Sequence, residues 1–171
     1  MKALCLVAHP DDCVIFAYSY MWHHSEWNWT VAYLTTAASE PRAREIAEFW
    51  QRRKITTKFI GLVDHWQDND TKTFNFWNPD HAQQQCWDLA CAYDLVLTHG
   101  QQGEYGHIHH CLVHKAVAQH PNLVTFADIN TGQEYVLPPE AYNLAELPLH
   151  AHMIMQFHPT QHRNFYQGTT Q

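Results

Sequence analysis

At 171 residues the chain is one domain long, enough to bury roughly 70% of the surface its unfolded form exposes. Ten Lys plus Arg against seventeen Asp plus Glu give a formal charge of −7, so no cationic field exists to hold nucleic acid. Hydrophobic residues at 46% and charged residues at 16% exclude a disordered chain. No apolar run approaches the ~20 residues of a membrane span, and Pro10-Asp11-Asp12 interrupts the first of them, so a soluble cytoplasmic protein is expected.

Ala3 to Ala8 is a continuous apolar run, the pattern of a strand buried on both faces of a parallel sheet. Pro10 ends it. Asp11 and Asp12 follow where a helix N-terminus favours carboxylates as caps and through its dipole, and that helix is predicted to reach about Trp22. Thr30 to Thr36, rich in β-branched and aromatic residues, predicts a second strand. Ser39-Glu40-Pro41 opens a second helix through Ile46, Phe49 and Arg53, with proline in its first turn. Thr57 to Leu62 predicts a third strand, and Asp64 to Asn78 a long loop. Pro79-Asp80 starts a helix through Ala92, and Asp94 to Thr98 a fourth strand ending at His99-Gly100. A glycine-bracketed loop, Gly100 to Gly106, leads into a helix from His107 to His120, stopped by Pro121. Asn122 to Ile129 predicts a fifth strand. The remainder holds a short strand at Tyr135-Val136-Leu137 and a short helix near Ala151 to Phe157.

Strands alternating with helices imply a single α/β domain with a Rossmann-like, doubly wound, mostly parallel sheet and helices on both faces, whose ligands bind beyond the carboxyl ends of the strands. Those ends carry His9-Pro10-Asp11-Asp12, Thr35-Thr36-Ala37, Leu62-Val63-Asp64 and Thr98-His99-Gly100. Neither Gly-x-Gly-x-x-Gly after the first strand nor a Gly-Lys-Ser/Thr loop is present, so nucleotide-binding readings lack their glycines. Five cysteines are an odd number and are expected as reduced thiols, and the spacing of Cys86 and Cys91 excludes a four-cysteine zinc site.

Fifteen histidines are the compositional outlier, and their positions matter more than their number. His9 and Asp12, three apart across a strand-to-helix turn, can aim an imidazole and a carboxylate at one point, although a capping Asp beside a loop His explains the pair equally well. Helical spacing over 107–114 puts His107, His110 and His114 within a ~60° sector, with His109 on another face. A solvated polar face is the bland alternative. The helix opens at the same sheet edge as His9 and Asp12, so its donors can meet theirs, as zinc requires. Three protein ligands with an open position make a catalytic site, and Asp11 is the adjacent carboxylate that can serve as base. A cation also explains how two neighbouring acids are tolerated.

Val7-Ala8-His9-Pro10-Asp11-Asp12 and Thr98-His99-Gly100-Gln101-Gln102-Gly103-Glu104-Tyr105-Gly106-His107-Ile108-His109-His110 resemble the two signature segments of the PIG-L/LmbE-like family of zinc-dependent N-acetylglucosaminyl deacetylases. Fainter similarity extends to Asp64 and to His158-Pro159-Thr160-Gln161. The resemblance implies His9, Asp12 and His110 as ligands of Zn²⁺, with Fe²⁺ acceptable to the same donors, and Asp11 as general base. It implies His107 as a protonated stabiliser or acid and Tyr105 as a donor to the developing oxyanion. Asp64 and either Arg42 or Arg44 would contact an N-acetylated sugar or glycoconjugate. The sequence departs from the family at Cys13, where an acidic residue often stands, and at Ile108-His109, where Pro-Asp is common. Ala37-Ala38-Ser39-Glu40 also replaces a glycine-containing loop.

His114, one turn below His110, reads as a core or supporting histidine rather than a ligand. The aromatic stretch Trp66 to Trp77 reads either as a sugar-stacking surface or as a loop pinned to the core or to another subunit, which leaves room for a homo-oligomer. The rival to a hydrolase is a metal- or carbohydrate-binding protein without catalysis, for which Asp11 would be superfluous.

Overall fold

The computed structural model describes residues 1–64, 78–127, 132–138, 141 and 163–168. The strands are β1 (Lys2–Val7), β2 (Asn28–Thr35), β3 (Thr56–Leu62), β4 (Leu95–Thr98), β5 (Leu123–Ala127), β6 (Gln133–Val136) and β7 (Arg163–Gly168). The helices are α1 (Tyr18–His23), α2 (Pro41–Gln51), α3 (Pro79–Ala90), the four-residue turn α4 (Gly103–Gly106) and α5 (Ile108–Val117). A π-helical turn, Cys13–Ala17, precedes α1. The expected loop over 65–77, the helix near 151–157, the last residues of the expected fifth strand and His158 lie outside the described residues.

One sheet runs in the order β3-β2-β1-β4-β5-β7-β6. The first five strands pair in parallel, and β7 then pairs antiparallel with both β5 and β6. The mostly parallel, doubly wound sheet expected from the sequence is thus present. β7, far from β5 in the chain, was not anticipated, nor was its antiparallel register.

β1 shows why the sheet is covered on both sides. Successive side chains point to opposite faces, so Ala3, Cys5 and Val7 enter one core with Val14, Tyr18, Ile46, Phe49 and Trp50. Leu4, Leu6 and Ala8 enter the other, with Ala82, Cys86, Leu112, Val113 and Val117. α1 and α2 therefore cover one face, and α3 and α5 the other. α3 opens on Asn78, whose Oδ1 accepts from the backbone N–H of Asp80 at 2.8 Å, with Pro79 in the first turn.

All five cysteines are free thiols, with Cys86 buried and Cys91 exposed. No described helix is long and apolar enough to cross a membrane. β1 is hydrogen-bonded to β2 on one side and β4 on the other. The chain leaves β1 for β2 and later returns to β4, so a crevice opens beyond their carboxyl ends, where open α/β sheets hold ligands.

Candidate metal centre

The carboxyl end of β1 is fastened to both neighbours. Ala8 O accepts from Thr35 N at 3.0 Å and Thr35 Oγ1 at 2.9 Å, and Ala8 N donates to His99 Nε2 at 3.0 Å. The chain then turns through Pro10, with Asp12 N donating to His9 O at 3.3 Å. The expected capping role of Asp12 is not what the turn uses. Its side chain makes no cap hydrogen bond; instead Oδ2 reaches back and accepts from His9 N at 2.7 Å. That reversal carries the carboxylate into the crevice beside the His9 ring.

His9, Asp12 and His110 are all buried. Oδ2 of Asp12 lies 3.2 Å from His9 Nδ1 and 3.3 Å from His110 Nε2, and the two nitrogens are 3.3 Å apart. Ligand atoms at ~2.0–2.1 Å from a tetrahedral cation would stand roughly 3.3–3.4 Å from one another, so the three donors fit a small divalent ion. Burial opposes ionisation of Asp12, but His110, His9 and His99 hold its carboxyl well below the ordinary range. Against its own desolvation, His9 is pushed up to about 9 by Asp12 and Asp64. The Asp12 carboxylate thus stays ionised in the crevice.

Two other groups of donors lie nearby, His9-His107-His109 and His99-Glu104-His110. The second is a hydrogen-bonded cluster: Glu104 Oε2 is 2.7 Å from His99 Nδ1 and 2.6 Å from His110 Nδ1, too close for ligands sharing one ion. In the first, His9 Nε2 stands 3.1 Å from His109 Nδ1. His9 cannot present both nitrogens to cations without surrendering its last ring proton, so this contact is a hydrogen bond. Burial, with His9 and His110 nearby, lowers His109 to about 4, which leaves it neutral and able to accept.

α5 begins one residue later than expected. His107 has extended backbone and is the N-cap, its Nδ1 accepting from His109 N at 3.2 Å. The predicted stripe of His107, His110 and His114 is therefore not a single helical face. His107 reaches the site from outside the helix, its ring stacking on His110 at 4.7 Å. His109, expected on another face, is instead buried against His9. Its ring fills space beside the ligand that an extended His107 leaves open. His114 donates from Nδ1 to His99 O, just beyond β4, at 2.9 Å, and is not among the grouped donors.

The surroundings of His107 oppose the protonation expected of it. Burial, with His9, His110 and His109 close by, lowers it to about 3, and the backbone N–H of His109 occupies its Nδ1. The proton then sits on Nε2 of a neutral ring. Tyr105 is exposed, with its ring 5.2 Å from that of His110 and 5.8 Å from that of His107. Desolvation and the carboxylates of Asp12 and Asp11 raise its pKa, so the phenol keeps its proton.

Asp11 is ion-paired with Arg42. Arg42 Nη1 is also 3.9 Å from Asp64 Oδ2, while Asp64 Oδ1 is 3.6 Å from His9 Nε2. Helical phase separates the two arginines: residues two apart point ~200° apart. Arg42 faces the crevice, whereas Arg44 is exposed and donates to Ser39 O at 2.9 Å. Cys13 points away from the metal donors into the core, its Sγ 3.0 Å from Tyr33 Oη and 3.3 Å from Trp50 Nε1. Its lack of charge thus leaves the cation position untouched.

His99 and Glu104 complete the cluster and were not singled out from the sequence. His99 lies parallel to His110 at 3.8 Å. Burial disfavours its charge while Glu104 and Asp12 push it up to about 9. The Ala8 N–H, however, is aimed at Nε2, so a proton there would meet another N–H. Nδ1 is thus the nitrogen that donates to Glu104, while Nε2 faces both the Ala8 N–H and, at 3.4 Å, Asp12 Oδ2. The only signal for Glu104 was its place between Gly103 and Gly106 in the loop that joins His99 to His107.

A 28% identical relative, the uncharacterized protein L374 of Acanthamoeba polyphaga mimivirus, aligns over 150 residues, 78% of this chain and 65% of that protein. The chain thus spans less than two thirds of that relative's length. Three solved structures share the architecture at low identity. A deacetylase from the teicoplanin biosynthesis pathway superposes with a TM-score of 0.65 at 12% identity, over 98% of this chain and 97% of its own. GalB, the 4-carboxy-2-hydroxymuconate hydratase of Pseudomonas putida KT2440, gives 0.66 at 13%, over 99% and 96%. N,N'-diacetylchitobiose deacetylase from Pyrococcus horikoshii gives 0.60 at 14%, over 98% and 83%. At such identities the likeness is one of fold, and the fold carries both hydrolysis and hydration. The profile of PIG-L, GlcNAc-PI de-N-acetylase, matches residues 4–120, which takes in both segments of the metal centre, and the chain belongs to this family.

Proposed function

We propose that the protein is a metal-dependent hydrolase that removes the N-acetyl group from an amino sugar or N-acetylglucosaminyl glycoconjugate. The observation that carries this reading is the convergence of His9 Nδ1, Asp12 Oδ2 and His110 Nε2 at 3.2–3.3 Å, with Asp11 next to Asp12 in the same turn and ion-paired with Arg42. Family membership and the two deacetylases of the same fold support the choice of an amide as substrate. Zn²⁺ is the proposed ion, and Fe²⁺ suits the same donors.

A divalent ion held by these three residues supplies a water of lowered pKa and a Lewis acid for the amide oxygen. Asp11 accepts the proton of the attacking water at a carboxylate oxygen and later gives it to the leaving amine. Arg42, paired with Asp11, fixes where that carboxylate points. Tyr105 donates its phenolic proton in a hydrogen bond to the carbonyl oxygen as charge develops there. His107, neutral with its proton on Nε2, is a second donor in place of the imidazolium expected from the sequence. Asp64 and Arg42 at the rim are the proposed contacts for the hydroxyls of the sugar.

The test is acetate release from a panel of N-acetylglucosamine derivatives by zinc-reconstituted protein, with chelated protein and Asp11→Asn alongside. Zinc-dependent release that Asp11→Asn loses is expected. Stoichiometric zinc binding with no release from any of them would replace the hydrolase with a binding protein.

A further inference from the structure

We propose that Glu104 is a positioning residue that sets the tautomer and aim of the metal ligand His110, at the end of a hydrogen-bond chain that starts on the backbone of β1. The inference rests on the metal-centre reading above and concerns how one ligand is held.

The chain can be read proton by proton. The Ala8 N–H donates to His99 Nε2 at 3.0 Å, which leaves Nδ1 as the ring nitrogen that carries a proton. That N–H donates to Glu104 Oε2 at 2.7 Å. The same oxygen lies 2.6 Å from His110 Nδ1, and an ionised carboxylate only accepts. His110 therefore donates from Nδ1, and its Nε2 keeps a bare lone pair, aimed at the space between Asp12 Oδ2 and His9 Nδ1. Glu104 Oε1 accepts from Gly100 N at 2.8 Å. Three donors thus fix a carboxylate whose side chain is 15% exposed.

The backbone indicates that this placement is demanded. Glu104 has φ 56° and ψ −71°, a conformation that strains an L-residue and persists only where its surroundings over-determine it. Gly103 and Gly106 on either side also have positive φ, so the turn folds back tightly enough to bring the carboxylate under both rings. His99, stacked on His110 at 3.8 Å and 16°, closes off the face on which the ring could tilt. A carboxylate on the far nitrogen of a metal-bound histidine fixes its orientation and raises its basicity, and losing such a partner costs ~10–100-fold in metal affinity.

Glu104→Gln keeps the shape and spoils the proton pattern. A glutamine can offer its oxygen to the histidines or to Gly100 N–H, not to both, and its NH₂ then faces a donor. Zinc affinity of the full chain, measured by competition with a chromophoric chelator, is expected to fall ~10–100-fold, while the circular dichroism of the metal-free protein is preserved. A second measurement needs no variant: long-range ¹H–¹⁵N spectra of the zinc-loaded protein should show His99 and His110 each carrying a slowly exchanging Nδ1–H, with His110 bound to zinc through Nε2. Unchanged zinc affinity in a folded Glu104→Gln, or zinc on His110 Nδ1, would overturn the proposal. Absence of acetate release with zinc affinity still dependent on Glu104 would instead overturn the hydrolase and leave the positioning role standing.

Discussion

The segment after β1 brings His9, Asp11 and Asp12 to the crevice within four residues, whereas the segment after β4 passes through two glycines and a glutamate of positive φ before it delivers His110. In the first, one backbone turn does the work: Asp12 reaches back to His9 N at 2.7 Å, and the spacing of three residues suffices. In the second, the aim of His110 follows from Glu104, from His99 at the start of the same segment, and through it from the Ala8 N–H at the end of β1. The difference suggests how each should respond to change. Substitutions in the first segment should alter the chemistry and spare the fold, while those in the second should alter geometry and stability together.

Asp12→Ala is the severest test of the first segment. It removes the oxygen that both ligand imidazoles face, and zinc affinity should fall by more than the ~10–100-fold typical of outer partners. Retention of zinc by this variant, measured by metal analysis after dialysis, would mean that the second segment holds the ion alone. Asp11→Asn should lower kcat ~10²–10⁴-fold and leave zinc affinity within about twofold, since Asp11 pairs with Arg42 and lies outside the three donors. A large loss of affinity would make Asp11 a ligand and undo the division of labour inside the turn.

Metal removal joins the two segments. Zinc at ~1,000 times its Kd adds about 4 kcal/mol to stability when it binds only the folded chain, so a chelator should lower Tm clearly. A Tm indifferent to chelation would show that the segments dock without the ion. Gly103→Ala should cost less, roughly 1–3 kcal/mol. Gly103 has φ +65°, and an added Cβ would meet Cys111 Sγ at 2.8 Å and His110 Cβ at 3.1 Å. Thermal melts check the cost, and weaker zinc binding in the same variant would tie the turn to the ligand. His114→Ala, which loses a contact to His99 O at 2.9 Å, should have the smallest effect, about 1 kcal/mol. A loss of zinc matching that of Asp12→Ala would place His114 among the ligands.

The sheet was legible because β1, β2 and β4 are apolar on both faces and say so in continuous runs, and α2 and α3 announce their starts with proline in the first turn. The antiparallel edge was not, because β7 pairs with β5 across a long stretch of chain and carries no local sign of its partner. At the site, spacing allowed His9 and Asp12 to meet and put His107, His110 and His114 on one stripe, from which the resemblance singled out His110. His107 lies one residue of helical phase from its expected place, at the cap and not on the stripe. Arg42 and Arg44 looked equivalent until the orientation of α2 put one towards Asp11 and the other towards Ser39.

The sequence by itself determined the five parallel strands, the helices between them and the crevice at the ends of β1 and β4, since these rest on periodicity and turn chemistry, and the family resemblance singled out His9, Asp12 and His110 among the donors that could meet there. Only the tertiary structure decided which nitrogen of each histidine faces which neighbour. Proton positions in a buried cluster are set by the nearest donors and acceptors in space, and here the first of them, Ala8 N–H on His99, lies 91 residues away along the chain.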